Sequence, residues 1–309
     1  MQPDIPYGDG TLPLPARFKS APFLHGKELP VPHFSSAELF EAFSLSLKKP
    51  VSGSPFRKCI VRGGRTCIIV SDKTRRYGAP SWLPWLLDEC NAAGVPDELI
   101  TVLFATGAHE GHSAVQRRET AGAEAAGRVR LVDHNCDARG DMVFLGVTRA
   151  GTPVHVNSLA CRADNLITTG VVLPHYYAGF SGGRKSILPG VCSRKSIFTN
   201  HSLNLAPGGG SHPGAATMQL DGNPIHEDMI DALRFVDVTF SVNVIARHGD
   251  RPEAFFSGDI CAAHLQACRA ARGIMGLPIA NRFDWVIASC GGSPKDINLY
   301  QSHKSLDNA

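Results

Sequence analysis

In the run Pro174-His175-Tyr176-Tyr177-Ala178-Gly179-Phe180-Ser181-Gly182-Gly183-Arg184-Lys185, three glycines stand just before a lysine. Glycine lets a backbone approach a ligand closely, and successive free N–H groups can cradle a phosphate. The phosphate-loop spacing G-x-x-x-x-G-K-[ST] needs glycine at position 184, where this chain has arginine, so the run is not that motif. A lone GGRK would read as a flexible surface loop with a solvated lysine. That reading weakens because His175 and His201 flank the loop within one stretch.

Histidine is a base suited to neutral pH and a ready ligand for nickel, copper or zinc. Of the thirteen present, His109 and His175 each follow the end of an apolar run. His112, three residues after His109, is ambiguous. His226, His248, His264 and His303 fall in helix or loop contexts and read as surface residues. The cluster Asp72-Lys73-Thr74-Arg75-Arg76 sets a carboxylate beside three cations. The forked donors of Arg75 suit a carboxylate or phosphate, although a solvated charged turn explains the composition equally well. Near the end, Asp296 to Lys304 reads as a helix start with Tyr300 and Lys304 on one face and Gln301 beside them; an amphipathic surface helix accounts for that too.

These clusters need elements to hold them. Short apolar, β-branched runs at Thr66 to Val70, Leu99 to Ala105, Val129 to Val132, Asn165 to Leu173, Val236 to Ile245 and Trp285 to Ala288 read as buried strands. Helical patterns lie between several of them: Trp82 to Ala93, closed by Gly94, and Ser113 to Ala126, where Ser113 with Gln116 forms a capping box. Alternating strand and helix predicts an α/β fold with a largely parallel sheet. In such sheets ligands sit beyond the carboxyl ends of the strands, where Asp72 to Arg76, Thr106 to His112 and His175 to Lys185 all fall. Three loops are thus expected to face one pocket.

At 309 residues the chain exceeds the usual reach of one core. We expect residues 1–274 to form an N-terminal α/β domain carrying the chemistry. A helix from Asp259 to Arg272 and then Gly276-Leu277-Pro278 lead to residues 275–309, the start of a second α/β domain too short for a core of its own. The composition is 43% hydrophobic and 19% charged with net charge +3, which predicts a globular protein with no electrostatic footprint for nucleic acid or anionic membrane. A small-molecule partner is expected. No apolar stretch reaches membrane length and Met1 to Gly10 lacks a signal-peptide pattern, so the expected location is cytoplasmic. Nine cysteines without a C-x-x-C pair read as reduced, mostly buried thiols.

Taken together the motifs resemble the lactate racemase-like family that uses the nickel-pincer nucleotide. The resemblance runs from Ile5-Pro6-Tyr7-Gly8 through Asp72-x-Thr74-Arg75, Thr106-Gly107-Ala108-His109, Pro174-His175 with the loop to Lys185, Asn200-His201 and Gly222-Asn223-Pro224 to the segment Asp296 to Ala309. It covers nearly the whole chain, and the long central motif makes it specific. It implies that Lys185 carries the cofactor through a thioamide, that His201 binds nickel, and that His109 and His175 act as a pair of acid/bases. It further implies that Asp72, Thr74, Gly182, Gly183 and Tyr300 face the cofactor, and that Arg75, Gln301 and Lys304 face substrate.

The implied reaction is racemisation or epimerisation of a 2-hydroxy acid. One base removes the hydroxyl proton while the α-hydrogen leaves as hydride to the pincer. The planar 2-keto acid then takes the hydride back on its other face, which calls for a second base. Cofactor-making proteins are implied partners, and a homo-oligomer is compatible with the resemblance. Arg76 stands where relatives usually have proline and Glu110 where arginine is common, differences that bear on substrate choice. Members usually extend well beyond the segment matching residues 305–309, so residues 275–309 are expected to be a truncated domain. The rival readings are a non-catalytic or truncated relative that only holds the nucleotide, and a zinc-type metallohydrolase built on His109, His112 and an aspartate.

Overall fold

The computed structural model describes residues 4–15, 34–246, 251–277, 279, 283–293, 296 and 299. The chain divides into two compact units, Pro30–Gly273 and a smaller one combining Met1–Leu29 with Ile274–Ala309. In the smaller unit, β1 (Ile5–Tyr7) and β2 (Gly10–Leu12) form an antiparallel hairpin. Ser289 Oγ donates to the Pro6 carbonyl at 2.6 Å, and the Asp296 carboxylate accepts from the Gly8 N–H at 2.8 Å.

The larger unit contains the strands β3 (Thr66–Ser71), β4 (Ile100–Ala105), β5 (Arg130–Asp133), β6 (Met142–Val147), β7 (Pro153–Asn157), β8 (Asn165–Val171), β9 (Pro174–His175), β10 (Gly179–Phe180), β11 (Phe240–Ile245) and β12 (Ala254–Gly258). Its helices are α1 (Ser36–Lys48), α2 (Phe56–Cys59), α3 (Ala79–Ala92), α4 (Ala114–Ala121), α5 (Ala123–Arg128), α6 (Ser158–Cys161), α7 (Arg194–Ser202), α8 (Pro224–Ala232) and α9 (Ile260–Met275). Six strands make the central sheet in the order β12-β11-β8-β3-β4-β5, parallel throughout except for β12 at one edge. The expected α/β class with a mostly parallel sheet is what the chain adopts.

The sheet is buried on both faces, which is why its strands read as continuous apolar runs. On one face Ile68, Val70, Val102, Phe104 and Val242 pack with Phe43 of α1 and Trp82 and Leu86 of α3. On the other, Cys67, Ile69, Leu103 and Leu166 pack with Val156 of β7, Ile197 of α7 and Ile225 and Met229 of α8. Odd and even strand positions therefore stabilise opposite layers.

Local chemistry sets the helix limits. Ser113 accepts from the Gln116 N–H and Gln116 reaches back to the Ser113 N–H, the anticipated capping box. The helix expected from Ser113 to Ala126 is in fact two, broken at Gly122, whose φ is +88°. A Cβ there would lie 2.9 Å from Pro80 Cα, so close packing on the start of α3 demands glycine and ends the helix. The strand expected at Trp285 to Ala288 does not form. Trp285 is 87% exposed and Val286 and Ile287 are about half exposed, so none of the described residues of their unit buries the run. The cysteines are all free, and five of the nine are buried.

Candidate active site

The sheet grows from β3 outward to β4 and β5, then crosses back so that β8 lies on the other side of β3. Such a reversal leaves a crevice at the carboxyl ends of the two diverging strands. The loops there are 72–76 after β3 and 172–185 after β8. The 106–112 loop after β4 is tied in as well, since the Gly107 N–H donates to the Gly190 carbonyl at 2.9 Å.

Asp72, 2% exposed, sits just past β3 and accepts from His109 Nδ1 at 2.6 Å and from the hydroxyl and N–H of Thr74 at 2.6 and 3.0 Å. Burial alone would raise its carboxyl, but these hydrogen bonds hold it below the usual carboxylate range. With Nδ1 committed to Asp72, the exposed His109 ring keeps Nε2 available to accept a proton. Arg75 is exposed, and among the described residues its guanidinium has no ion-pair partner.

A second pair lies on the Gly-rich loop. His175 Nδ1 receives the N–H groups of Tyr177 and Ala178, each at 3.2 Å. A neutral imidazole that accepts at Nδ1 carries its proton on Nε2. His175 Nε2 is 3.0 Å from Lys185 Nζ, so the lysine nitrogen must accept there and is an uncharged amine. The electrostatics point the same way. Burial, then the Arg184 and Arg75 charges, push Lys185 well below its ordinary range; burial above all does the same to His175. His201, in the last turn of α7, is pushed to about 4, chiefly by burial. Its Nδ1 is buried without a well-formed hydrogen bond, the Ile197 carbonyl one turn back being its weak neighbour. A neutral imidazole is the form that ligates a metal.

Gly182 and Gly183 occupy left-handed conformations at φ +76° and +51°. A Cβ on Gly182 would meet Val172 at 2.5 Å, one on Gly183 would meet His264 at 2.5 Å, and the Gly183 N–H already donates to Asn243 Oδ1 at 2.9 Å. Packing therefore requires both glycines, whatever ligand lies above them. Thr74 is exposed beside Asp72. The structure thus brings Asp72, Thr74 and His109 into one group, and His175 and Lys185 into another whose electrostatic neighbours include His201 and Arg75. Tyr300, Gln301 and Lys304 lie outside the described residues.

Several functional neighbours escaped the sequence reading. His112 is buried with both nitrogens engaged: Nδ1 donates to Asp133 at 2.7 Å and Nε2 accepts from the Lys73 N–H at 2.9 Å. It thereby braces the loop carrying Asp72 and Arg75 and has no nitrogen left for a metal. Among the described residues no group of three or more His, Cys, Asp or Glu side chains is placed to hold an ion, so a zinc site on His109 and His112 has no support. His264, expected on the surface, is 2% exposed because α9 lays that face against the Gly-rich loop. His226 is also half-buried, with Nδ1 enclosed; His248 and His303 are outside the described residues. Asp228 of α8 accepts from Asn200 at 2.8 Å, from Thr152 at 2.7 Å and from Thr148, anchoring the turn that presents His201. None of these has a local sequence signature, since each depends on a partner more than twenty residues away. No described helix is long and apolar enough to cross a membrane.

Known proteins share this arrangement of sheet and loops. A structure of the lactate racemase apoprotein from Thermoanaerobacterium thermosaccharolyticum superposes with a TM-score of 0.84 at 32% identity, covering 97% of this chain and 69% of that one. A Thermotoga maritima crystal structure, at TM-score 0.60 and 17% identity, shares the fold alone. In sequence, the chain is 34% identical over 262 residues to the lactate racemase of T. thermosaccharolyticum and 33% identical over 267 residues to that of Lactiplantibacillus plantarum. These matches take in 84% and 86% of this chain but 60% and 61% of the relatives, so the chain spans about three fifths of their length. Residues 21–211, more than half of the chain, match the lactate racemase N-terminal domain, and the chain belongs to that family.

Proposed function

We propose that this chain is the cofactor-anchoring part of a 2-hydroxy acid racemase or epimerase, with the nickel-pincer nucleotide held on Lys185. The observation that carries the reading is Lys185 Nζ held 3.0 Å from His175 Nε2, where burial and the neighbouring arginines favour the amine without its proton. An amine without its proton is the nucleophilic form that covalent anchoring needs. The neutral His201 imidazole, with no strong partner for its buried Nδ1, fits a nickel ligand. When bound, the cofactor supplies a hydride acceptor. Cofactor-making proteins are the implied partners.

The chain's own groups then divide the remaining work. Arg75 binds the substrate carboxylate through its forked donors. His109 takes the hydroxyl proton at Nε2, and Asp72 stabilises the resulting imidazolium. The His175 Nε2 proton, directed at the Lys185 nitrogen in the unloaded chain, is released once that nitrogen is committed to the cofactor. It then offers a hydrogen bond to the 2-keto oxygen on the other side, as a neutral histidine can. To act as base for the opposite enantiomer it must take the proton on Nδ1 and release the Tyr177 and Ala178 N–H groups.

Intact-mass analysis after co-expression with the cofactor-making enzymes tests the anchoring, the expected result being an adduct on Lys185. An unmodified Lys185 in nickel-replete cells overturns the reading. Loss of the α-hydrogen label from a panel of 2-hydroxy acids tests turnover. An adduct without exchange identifies a module that holds the nucleotide and leaves the chemistry elsewhere.

A further inference from the structure

Arg184, the residue that spoils the phosphate-loop spacing, is completely buried. Its guanidinium donates to the carbonyls of Ala178 at 2.6 Å, Phe180 at 2.9 Å and Gly182 at 3.4 Å, and to His264 Nε2 at 2.8 Å. Nε has no partner, and no described carboxylate pairs with it. His264 Nε2 also lies 3.0 Å from the Ser181 carbonyl, and burial followed by the Arg184 charge holds the ring well below the ordinary histidine range, so it brings no second cation to the cluster. A buried cation held by carbonyls and a neutral ring is costly to keep, so a merely structural staple is an uneconomical explanation.

Ala178 supplies the missing link. Its carbonyl is held by Arg184, and its N–H is one of the two donors that fix Nδ1 of His175. We propose that Arg184 is a positioning residue for the His175–Lys185 pair: by clamping the Ala178 peptide it sets the His175 tautomer and directs the Nε2 proton at the lysine nitrogen. The proposal rests on Lys185 being the anchoring residue, and it adds the device that readies it. The charged and titratable neighbours of Lys185 are Arg184, Arg75, His175 and His201; those of Arg184 are His226, His264, Cys261 and Cys268. The unneutralised Arg184 charge acts in the same direction as the clamp, since it disfavours a second cation on the neighbouring residue.

The test is competitive labelling of the unloaded chain with acetic anhydride across pH, reading Lys185 against the exposed Lys195 by peptide mass. In the unaltered chain Lys185 is expected to be labelled at neutral pH, ahead of Lys195. Arg184→Met should raise the Lys185 midpoint by about one pH unit or more, an approximately tenfold slower labelling at pH 7. Arg184→Lys should behave alike, because a point charge cannot hold Ala178, Phe180 and His264 at once. A wild-type midpoint in Arg184→Lys, or in a folded Arg184→Met, overturns the proposal. Should Arg184→Met fail to fold, the histidine 15N spectrum of the unaltered protein decides: an Nε2-protonated His175 supports the clamp and an Nδ1-protonated one overturns it. Unchanged labelling in the variants together with an adduct on Lys185 sinks this inference alone; Arg184-dependent labelling without any adduct sinks the anchoring reading alone.

Discussion

Asp72 Oδ2 and His109 Nδ1 lie 2.6 Å apart, the carboxylate almost fully enclosed and the imidazole more than half exposed. The two come from different strand ends, β3 and β4, which run parallel with Ser71 opposite Ala105. The buried partner thus sets the tautomer of the accessible one, leaving His109 Nε2 as the proton acceptor. His175 carries its proton on the opposite nitrogen, so in the proposed reaction the two rings would start from opposite tautomers.

Asp72→Asn removes the acceptor of the Nδ1 proton and frees the other tautomer. Under the proposed function, racemisation by the cofactor-loaded protein is expected to fall by about two to four orders of magnitude in kcat. Binding of a substrate carboxylate should persist, because Arg75 is untouched. Steady-state kinetics in both directions measures this, and an unaltered kcat removes His109 from proton transfer.

Acid should destabilise the protein well above the range in which carboxylates titrate. His134, 2% exposed, donates from Nε2 to the Cys192 carbonyl and accepts at Nδ1 from Asn157; burial pushes it to about 4 against the Cys192 carbonyl's opposing pull. Between about pH 6.5 and 4 the unfolded chain binds a proton that the folded chain refuses, so stability is complete above that window and falls as pH drops through it. The drop from 6.5 to about 4 corresponds to about 3 kcal/mol. His201 and His226 add to the trend with the same sign. Urea unfolding at pH 7 and pH 4.5 reads the loss, and a flat profile contradicts it.

Gly183→Ala combines an unfavourable left-handed φ of +51° with a Cβ placed 2.5 Å from His264. Strain and overpacking together should cost about 2–4 kcal/mol. His264→Ala in the same chain should restore the steric part but not the backbone part. Thermal unfolding of the single and double variants separates the two, and additive losses would refute the contact.

Asp228→Ala strips Thr148, Thr152 and Asn200 of a shared buried acceptor. Three donors left without a partner should lower stability by roughly 2–4 kcal/mol. Asp228→Asn, which keeps one carbonyl oxygen, should lose less. Chemical denaturation ranks the three proteins, and equal stabilities would show the network to be dispensable.

Strands β3, β4 and β8, the Ser113–Gln116 cap and the position of the polar loops were all legible in the sequence, because each rests on signals within about ten residues. Buried parallel strands announce themselves as apolar runs, and a capping box is a pattern four residues long. That His175 and Lys185 come together was legible for the same reason: they share one loop. Trp285 to Ala288 shows the limit of that logic, since an apolar run becomes a strand only when something covers it, and Trp285 is left exposed.

What residues within one loop can do was thus written locally, while their charge states and partners were not. Asp72 as the partner of His109, Asp133 as the partner of His112 and Asp228 as the anchor of Asn200 all depend on which strands and helices become neighbours. Arg184 enters the sequence only as the residue that breaks the phosphate-loop spacing; the packing of α9 and the loop carbonyls around it makes it a fully buried donor. Burial decides protonation because a charge removed from water must find compensation, and the sequence does not state what is removed from water.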